Sequence, residues 1–588
     1  MRWLLVAILL IIPVASSAAT HSFTGLPITS AGWTDYQVLI ASGNYASSRV
    51  IFVSNDGNDG TGSPGTIANL SYDANGMFMA TGEILPYATV AAGYAQVRDG
   101  YSDILLLERG DTWVTRFSSG GIGNWLKSGA SSAAPIIFSS YGTGARPQIT
   151  SDNVGTALTT YDTNNLLISN IYFYLADWTL AKRAVDIIGT SDHITYEDCR
   201  IDGHHEGKIQ GTGVTNIAIR RCVFYGNQAH DGQLYAESAS DVLIEENVFS
   251  TPYDEDYIDG SPLGRHLYFS AGDCGNDCLN GVILRGNIFY ASDREGADIR
   301  CGGEIYHNLF VQSYLRVGDV GSGVRQISSG DIYSNVLMEG STNTGTATII
   351  SLLANDGSRA YDNIITDNTG ITVNAMGISV SGNSGSTPSN MVARNIDVSN
   401  NIVYKYTNAS SLGYGFKIES GLSDVQNISV NNNQFQFDAI STGDLLYFPT
   451  ADIANGSFIG NRYYSTATES TWFYQGNAAT WAALSGETGY TTTQIAYTAP
   501  TRIIGSYDTQ IGGAGTTANF MASTLNQSRQ NWSNALTAYA AINYIRAGFD
   551  KRPVTPEWEQ SIARSAVDLT GSAVKVDLTG SALDMVMQ

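Results

Sequence analysis

The chain has 588 residues, a formal net charge of −23, only 14% charged residues, and 62 Gly and 33 Tyr. That acidity excludes nucleic acid and anionic membrane surfaces as partners, and admits a polyanionic substrate only where a local basic patch or bound cations offset it. The low charge density and the length exclude a disordered chain and provide for an ample core with many tight turns.

Met1–Ala19 has one basic residue, an apolar run from Trp3 to Val14 broken by Pro13, and then Ala15-Ser16-Ser17-Ala18-Ala19. This is a secretory signal peptide with its cut expected after Ala19, which predicts a secreted or periplasmic, soluble protein. No later apolar run reaches the ~18 residues of a membrane span. Residues 20–150 form an N-terminal cap and the first coils. The strand Arg49–Ser54 ends in the turn Asn55–Gly60, a helix runs from about Pro86 to Arg98, and strands follow at Asp103–Leu107 and Pro135–Tyr141. The acidic turn Asp56–Asp59 reads as an ordinary turn, with a calcium loop as the alternative.

Residues 151–465 repeat one short pattern: apolar, polar, polar or small, Asn, apolar, aromatic or aliphatic. Copies include Ile168–Phe173, Ile244–Phe249, Leu284–Phe289 and Ile305–Phe310. The Asn point is held by Asn170, Cys199, Cys222, Asn247, Asn287, Asn308, Asn335, Asn363, Asn401, Asn433 and Asn461, 21 to 40 residues apart. Strand-length segments at that period indicate a solenoid whose coils must stack to bury their apolar edges. β-branched and aromatic residues between Gly, Asn, Asp and Ser favour strands over helices. The prediction is an all-β right-handed parallel β-helix with an Asn ladder at one bend. The order of elements from Arg49 to Pro147 resembles the opening of secreted β-helix proteins of the pectate-lyase-like superfamily, in which a helix caps the open end of the solenoid and covers its edge strands.

Residues 466–588 form a small helical and irregular extension. Trp472 and Trp481 are expected on the last coils, and a docked helix is expected at about 519–548 from the spacing of Leu525, Trp532, Leu536, Tyr539 and Ile542. The repeat Val567–Ala573 and Val576–Ala582 reads as a strand pair or a disordered tail. Cys274 and Cys278 are expected to clip a loop as a disulfide. Cys199 and Cys222 either bridge or stack at the ladder, and Cys301 reads as buried and inert.

The second strand of each coil aligns by inward residues Ile187, Ile209, Leu234, Leu267, Ile299 and Leu315. Alternation then places Asp186, Lys208, Gln233, His266 and Asp298 outward on one side of that column. Ile188, Gln210, Tyr235, Tyr268, Arg300 and Arg316 fall outward on the other side. Three adjoining coils, spanning roughly 10 Å, thus bring His, Asp, Tyr and two Arg together, a groove sized for several sugars with tyrosines to stack on them. The runs His266–Tyr268, Gly296–Arg300 and Gly303–Phe310 resemble β-helix polysaccharide lyases. The resemblance implies β-elimination on a uronate-containing polysaccharide, with Arg300 and Arg316 on the carboxylate. His266 would be the base, oriented by Asp298, and Tyr268 the acid, or the base if deprotonated. Tyr235, Gln233, His230 and Lys208 would line the groove.

One departure stands out. In the alginate-lyase and chondroitinase-B-like branch a Lys on one coil faces an Arg on the next; Arg300 matches that Arg, but Lys208 lies three coils earlier. A glycoside hydrolase using Asp298 with Asp231 or Glu295, a uronate epimerase, and a non-catalytic carbohydrate-binding solenoid remain the alternatives. The loop Asp254–Asp259 reads as a solvated loop, with a calcium loop or a lid as the alternatives; no other cofactor is expected, and the protein is expected to be a monomer.

Overall fold

The computed structural model describes residues 19–568 except 120, 152–154, 176–182, 203–205, 227–231, 251–263, 271–279, 293–294, 319–327, 340–345, 367–373, 382–391, 405–412, 420–421, 423 and 438–443. The segment before Ala19 read as a signal peptide, the Cys274–Cys278 pair, the Asp254–Asp259 loop and the repeated tail beyond residue 568 lie outside the described residues; the first two residues of that tail, Val567 and Asp568, end the helix Glu557–Asp568.

Each coil gives one strand to each of three long parallel sheets, here sheets A, B and C. In one coil these are Asn280–Arg285, Ile288–Tyr290 and Glu295–Ile299. The chain is a right-handed parallel β-helix, with the inward side chains of all three sheets forming one continuous core.

From Asn170 onward the corner between sheets A and B takes two residues, and the first of them has positive φ: Asn170, Asp198, Arg221, Glu246, Gly286, His307, Ser334, Asp362, Asn400, Asn432 and Gly460. The second is the ladder residue. The Asn247 backbone N–H donates to Asn287 Oδ1 at 2.9 Å, while Asn247 Nδ2 donates to the Ile219 carbonyl at 2.8 Å. The same arrangement repeats through Asn433 to Asn461, where Glu487 accepts from Asn461 Nδ2 at 2.8 Å and closes the ladder. Cys222 begins the chain of amide acceptors, its N–H donating to Asn247 Oδ1 at 2.8 Å. Cys199 and Cys222 are buried free thiols, stacked rather than bridged. Asn170 departs from the expected ladder. Tyr196 pairs with Ile168, so Ile171 occupies the ladder column and Asn170 the left-handed corner. Asn fits either site, because its short amide tolerates positive φ.

The helix read near Pro86–Arg98 is α1 (Val90–Gln96). Val90, Tyr94 and Val97 join Ile51, Val53, Leu105 and Leu107 in the core, which plugs the first coil. At the far end α2 (Ala478–Ser485) inserts Trp481 against Phe458 and Phe473, as expected of that tryptophan.

The two chain ends lie along the solenoid. Residues before Arg49 reach sheet A, where His21 Nε2 lies 2.8 Å from Glu245 Oε2 and the Thr34 N–H donates to Glu197. On sheet B, outward Val248, Ile288, Leu309, Val336 and Ile364 pack with Phe520, Tyr539, Ile542 and Ile545 of the extension. The single helix expected at about 519–548 is instead two, α3 (Thr517–Thr524) and α4 (Ala538–Gly548). The helix breaks because Arg529 is drawn away, its guanidinium donating to the Thr34 and Asn75 carbonyls at 2.9 Å. Arg221 lies beneath both ends, 4.3 Å from the Trp33 ring, 4.8 Å from Trp532 and 5.5 Å from Trp558.

Candidate functional site

One outward column on the face of sheet C carries most of the expected site residues. Its register pairs Asp186 with Lys208, Lys208 with Tyr235, Tyr235 with Tyr268, Tyr268 with Asp298 and Asp298 with Arg316. Sequence alignment had split these residues between two columns. Leu234 pairs with Gly207 rather than Ile209, and Ile299 with Phe269 rather than Leu267. A slip of two residues leaves the inward–outward parity intact, so Tyr235, Tyr268 and Arg316 face outward as expected while changing their neighbours.

The centre of the column is a cluster of three arginines and two carboxylates. Arg265 Nε lies 2.7 Å from Glu295 Oε2 and 3.6 Å from Asp298 Oδ2. Arg316 Nη1 contacts Glu295 Oε1 and lies 3.6 Å from Asp298 Oδ2. Arg300 Nε also stands 3.6 Å from that oxygen. Both carboxylates are fully buried, whereas the Arg316 side chain is 20% exposed. Tyr268 lies between two of the cations, its ring centre 4.7 Å from the Arg265 guanidinium and 4.6 Å from that of Arg300. Tyr235 meets Tyr268 edge-on at 5.5 Å, and its hydroxyl donates to Glu237 Oε2 at 2.8 Å. Lys208 sits 5.5 Å over the Tyr235 ring.

These contacts separate the two acids. Burial raises the Asp298 carboxyl and the Glu295 charge raises it further, against the pull of the three arginines. Burial also works to raise Glu295, but Arg316 and Arg265 hold it below the usual carboxylate range. Burial raises the Tyr268 phenol, while Arg300 and Arg265 oppose the rise.

His266 is a correction. It was expected on the outer face as the base, but it is fully buried at the corner between sheets B and C. Its ring sits 6.2 Å from Phe249 and 6.0 Å from Phe289, continuing a ladder of phenylalanines. Nε2 donates to the Tyr290 carbonyl at 3.0 Å, and Nδ1 pairs with the Gln233 side-chain amide at 2.9 Å. Burial pulls its pKa down to about 3. Gln233 is likewise buried. Both residues precede the first inward residue of their strands, where the chain is still turning and strand alternation does not apply. Asp298, expected to orient His266, instead belongs to the arginine cluster. Cys301 is half-buried rather than enclosed.

Arg265, directly before His266, was not among the expected site residues, and Glu295 was weighed for hydrolysis alone. His230 and Asp231 lie outside the described residues. Asp59 accepts hydrogen bonds from the backbone and hydroxyl of Thr89 and from the Ala88 N–H, so it serves the start of α1. Among the described residues no group of three or more His, Cys, Asp or Glu is arranged to hold a metal ion. No described helix is long and apolar enough to cross a membrane.

No family model and no curated protein matches the chain. Among solved structures it is similar to a mannuronic acid specific polysaccharide family 6 lyase from human gut microbiota, at 15% identity over 73% of this chain and 94% of that one, with a TM-score of 0.44. It is also similar to a GH136 lacto-N-biosidase from Eubacterium ramulus, at 12% identity over 76% and 67% with a TM-score of 0.32. A periplasmic alginate epimerase matches at 11% identity over 73% and 80%, with a TM-score of 0.30. The likeness is one of fold alone.

Proposed function

We propose that this protein degrades uronate-containing polysaccharide by β-elimination, with Arg300 and Arg316 on the uronate carboxylate and Tyr268 moving the proton. One observation carries the reading: three guanidinium groups converge on Asp298 on the outer face of sheet C, two of them against the Tyr268 ring, in a chain of net charge −23. Arg265, Arg300 and Arg316 against Glu295 and Asp298 leave one positive charge in surplus, and two when Asp298 is protonated. The cluster thus gives a polyanion a place to approach an otherwise acidic surface. A guanidinium fork binds a carboxylate in two places, and neutralising that carboxylate acidifies the adjacent C5–H.

With His266 enclosed, Tyr268 is the half-exposed proton carrier of the expected set. It takes the C5 proton as the phenolate, the form that Arg300 and Arg265 stabilise against the upward pull of burial on the phenol. The C4=C5 double bond forms as the C4–O bond breaks, and the phenol returns its proton to the leaving oxygen. Tyrosine ends as it began, and no other reactant is consumed.

A second reading has one observation in its favour. Glu295 and Asp298 have carboxyl groups pushed in opposite directions, the condition for an acid and its partner in glycoside hydrolysis. The two readings part in a single assay, in which the full mature chain is incubated with a panel of uronate polysaccharides. Ultraviolet absorbance of an unsaturated uronate, lost in Arg316→Ala and Tyr268→Phe, supports elimination. New reducing ends without that absorbance support hydrolysis, and neither product across the panel supports a binding solenoid.

A further inference from the structure

The outward column of sheet C continues past the arginine cluster. Arg316 pairs with Ser351, Ser351 with Ser379, Ser379 with Lys417 and Lys417 with Tyr447, and a bridge from Leu446 to Phe473 brings Tyr474 to the next rung. The two serines are 7% and 2% exposed, so they separate two distinct patches on one line.

The second patch is aromatic. Tyr474 is 55% exposed, among the most exposed large side chains of the described residues, and its ring lies 4.6 Å from that of Tyr447. Tyr447 meets Tyr414 edge-on at 5.6 Å. Lys417 Nζ lies 5.0 Å from the Tyr414 ring centre and 5.8 Å from that of Tyr447, with Glu419 Oε1 3.7 Å away. Tyr414 itself is buried, so it is the floor on which the other groups rest. An exposed tyrosine face held by rings below it offers a flat apolar surface at little conformational cost, suited to the C–H face of a sugar. A half-buried ammonium beside it suits a carboxylate on that sugar or its neighbour.

We infer that Tyr474, Tyr447 and Lys417 form a second binding site on sheet C, which takes a distal acidic sugar of the polymer held at Arg316. Four strand spacings separate Arg316 from Tyr447, roughly 19 Å along the solenoid axis, so one extended polysaccharide chain reaches both. The inference rests on the proposed function for the identity of the polymer. It adds that long chains are held at two places and short oligosaccharides at one, so the gain is one of effective concentration.

The test is affinity electrophoresis of the full mature chain in gels containing polygalacturonate, alginate or hyaluronan, run beside the elimination assay. Wild type is expected to be retarded by at least one polymer. Tyr474→Ala should lose threefold or more of that retardation, and Tyr474→Phe, which keeps the ring, should retain it. KM for the long polymer should rise by a similar factor in Tyr474→Ala, with kcat and the rate on short oligosaccharides unchanged. Retardation of Tyr474→Ala equal to wild type overturns the inference, even if Arg316→Ala loses both binding and product. Loss of retardation in Tyr474→Ala with no unsaturated product from any variant upholds this site and overturns the elimination reading. If no polymer retards wild type, the site is refuted.

Discussion

Replacing His266 by Gln separates a catalytic from an architectural histidine. Its pKa lies at about 3 in the folded chain against 6.5 for the free side chain. Below the unfolded value the unfolded chain takes up a proton that the folded chain refuses, so stability falls as the pH drops from 6.5 toward 3. At about 1.4 kcal/mol per unit the interval amounts to ~4–5 kcal/mol lost across that window. His21, buried, and His307, half-buried, also have lowered pKa and add to the acid sensitivity of wild type. The difference between wild type and His266→Gln therefore isolates this one ring. Gln keeps a donor for the Tyr290 carbonyl but abandons contact with Phe249 and Phe289, at about 1–3 kcal/mol near neutral pH. Urea midpoints measured every half unit from pH 7 to pH 4 should show a deficit at neutrality that shrinks as the pH falls. Catalytic rate per folded molecule should be close to wild type. A variant with unchanged midpoints and a thousandfold loss of kcat would refute the reasoning and restore His266 as the base.

Four further outcomes follow from the same geometry. Arg316→Ala should lower kcat/KM on a uronate polymer by about 10–100-fold, the worth of one charge-assisted contact in steady-state kinetics. Tyr268→Phe should keep polymer binding and lose turnover by at least about a hundredfold, because the ring stays between Arg265 and Arg300 while the proton is gone. Asn308→Ala strands the Asn287 N–H and the Leu284 carbonyl, which bond to it at 3.0 and 2.8 Å. Two buried unpaired groups predict a loss of about 2–6 kcal/mol by urea denaturation. Gly286→Ala puts a methyl 2.6 Å from Tyr539 Cε2 at a φ of +67°, so limited proteolysis should release the extension more readily than in wild type.

The sequence made the solenoid legible because its signal is periodic. A polar amide recurring after each apolar pair has one physical use, stacking at a bend, and Asn247 to Asn461 have it. What it could not convey was lateral registration between coils. Coil lengths vary, so aligning Leu234 with Ile209 or Leu267 with Ile299 was a choice among positions two apart that all satisfy alternation. Outward Tyr268, Asp298 and Arg316 survived that ambiguity; the strand-edge residues Gln233 and His266 did not. The partnership of Arg265 with Glu295 was invisible for a related reason: 30 residues separate them, and a coil length must be known before they become neighbours. The C-terminal helix was legible by its apolar spacing, but its interruption depended on Arg529 finding carbonyls near the other end of the chain.

Arg221 has a consequence for how the molecule comes apart. A stacked array normally loosens from its extremities, since each end coil has one neighbour and the rest have two. Here Trp33 from the beginning of the chain, and Trp532 and Trp558 from its close, gather on a side chain in an interior coil. The strand ends are thus tethered to the middle, and peeling the first or last coil requires breaking a contact several coils away. Amide exchange should then report one shared opening across the coils from Ile194 to Ile305 rather than a gradient rising from each tip.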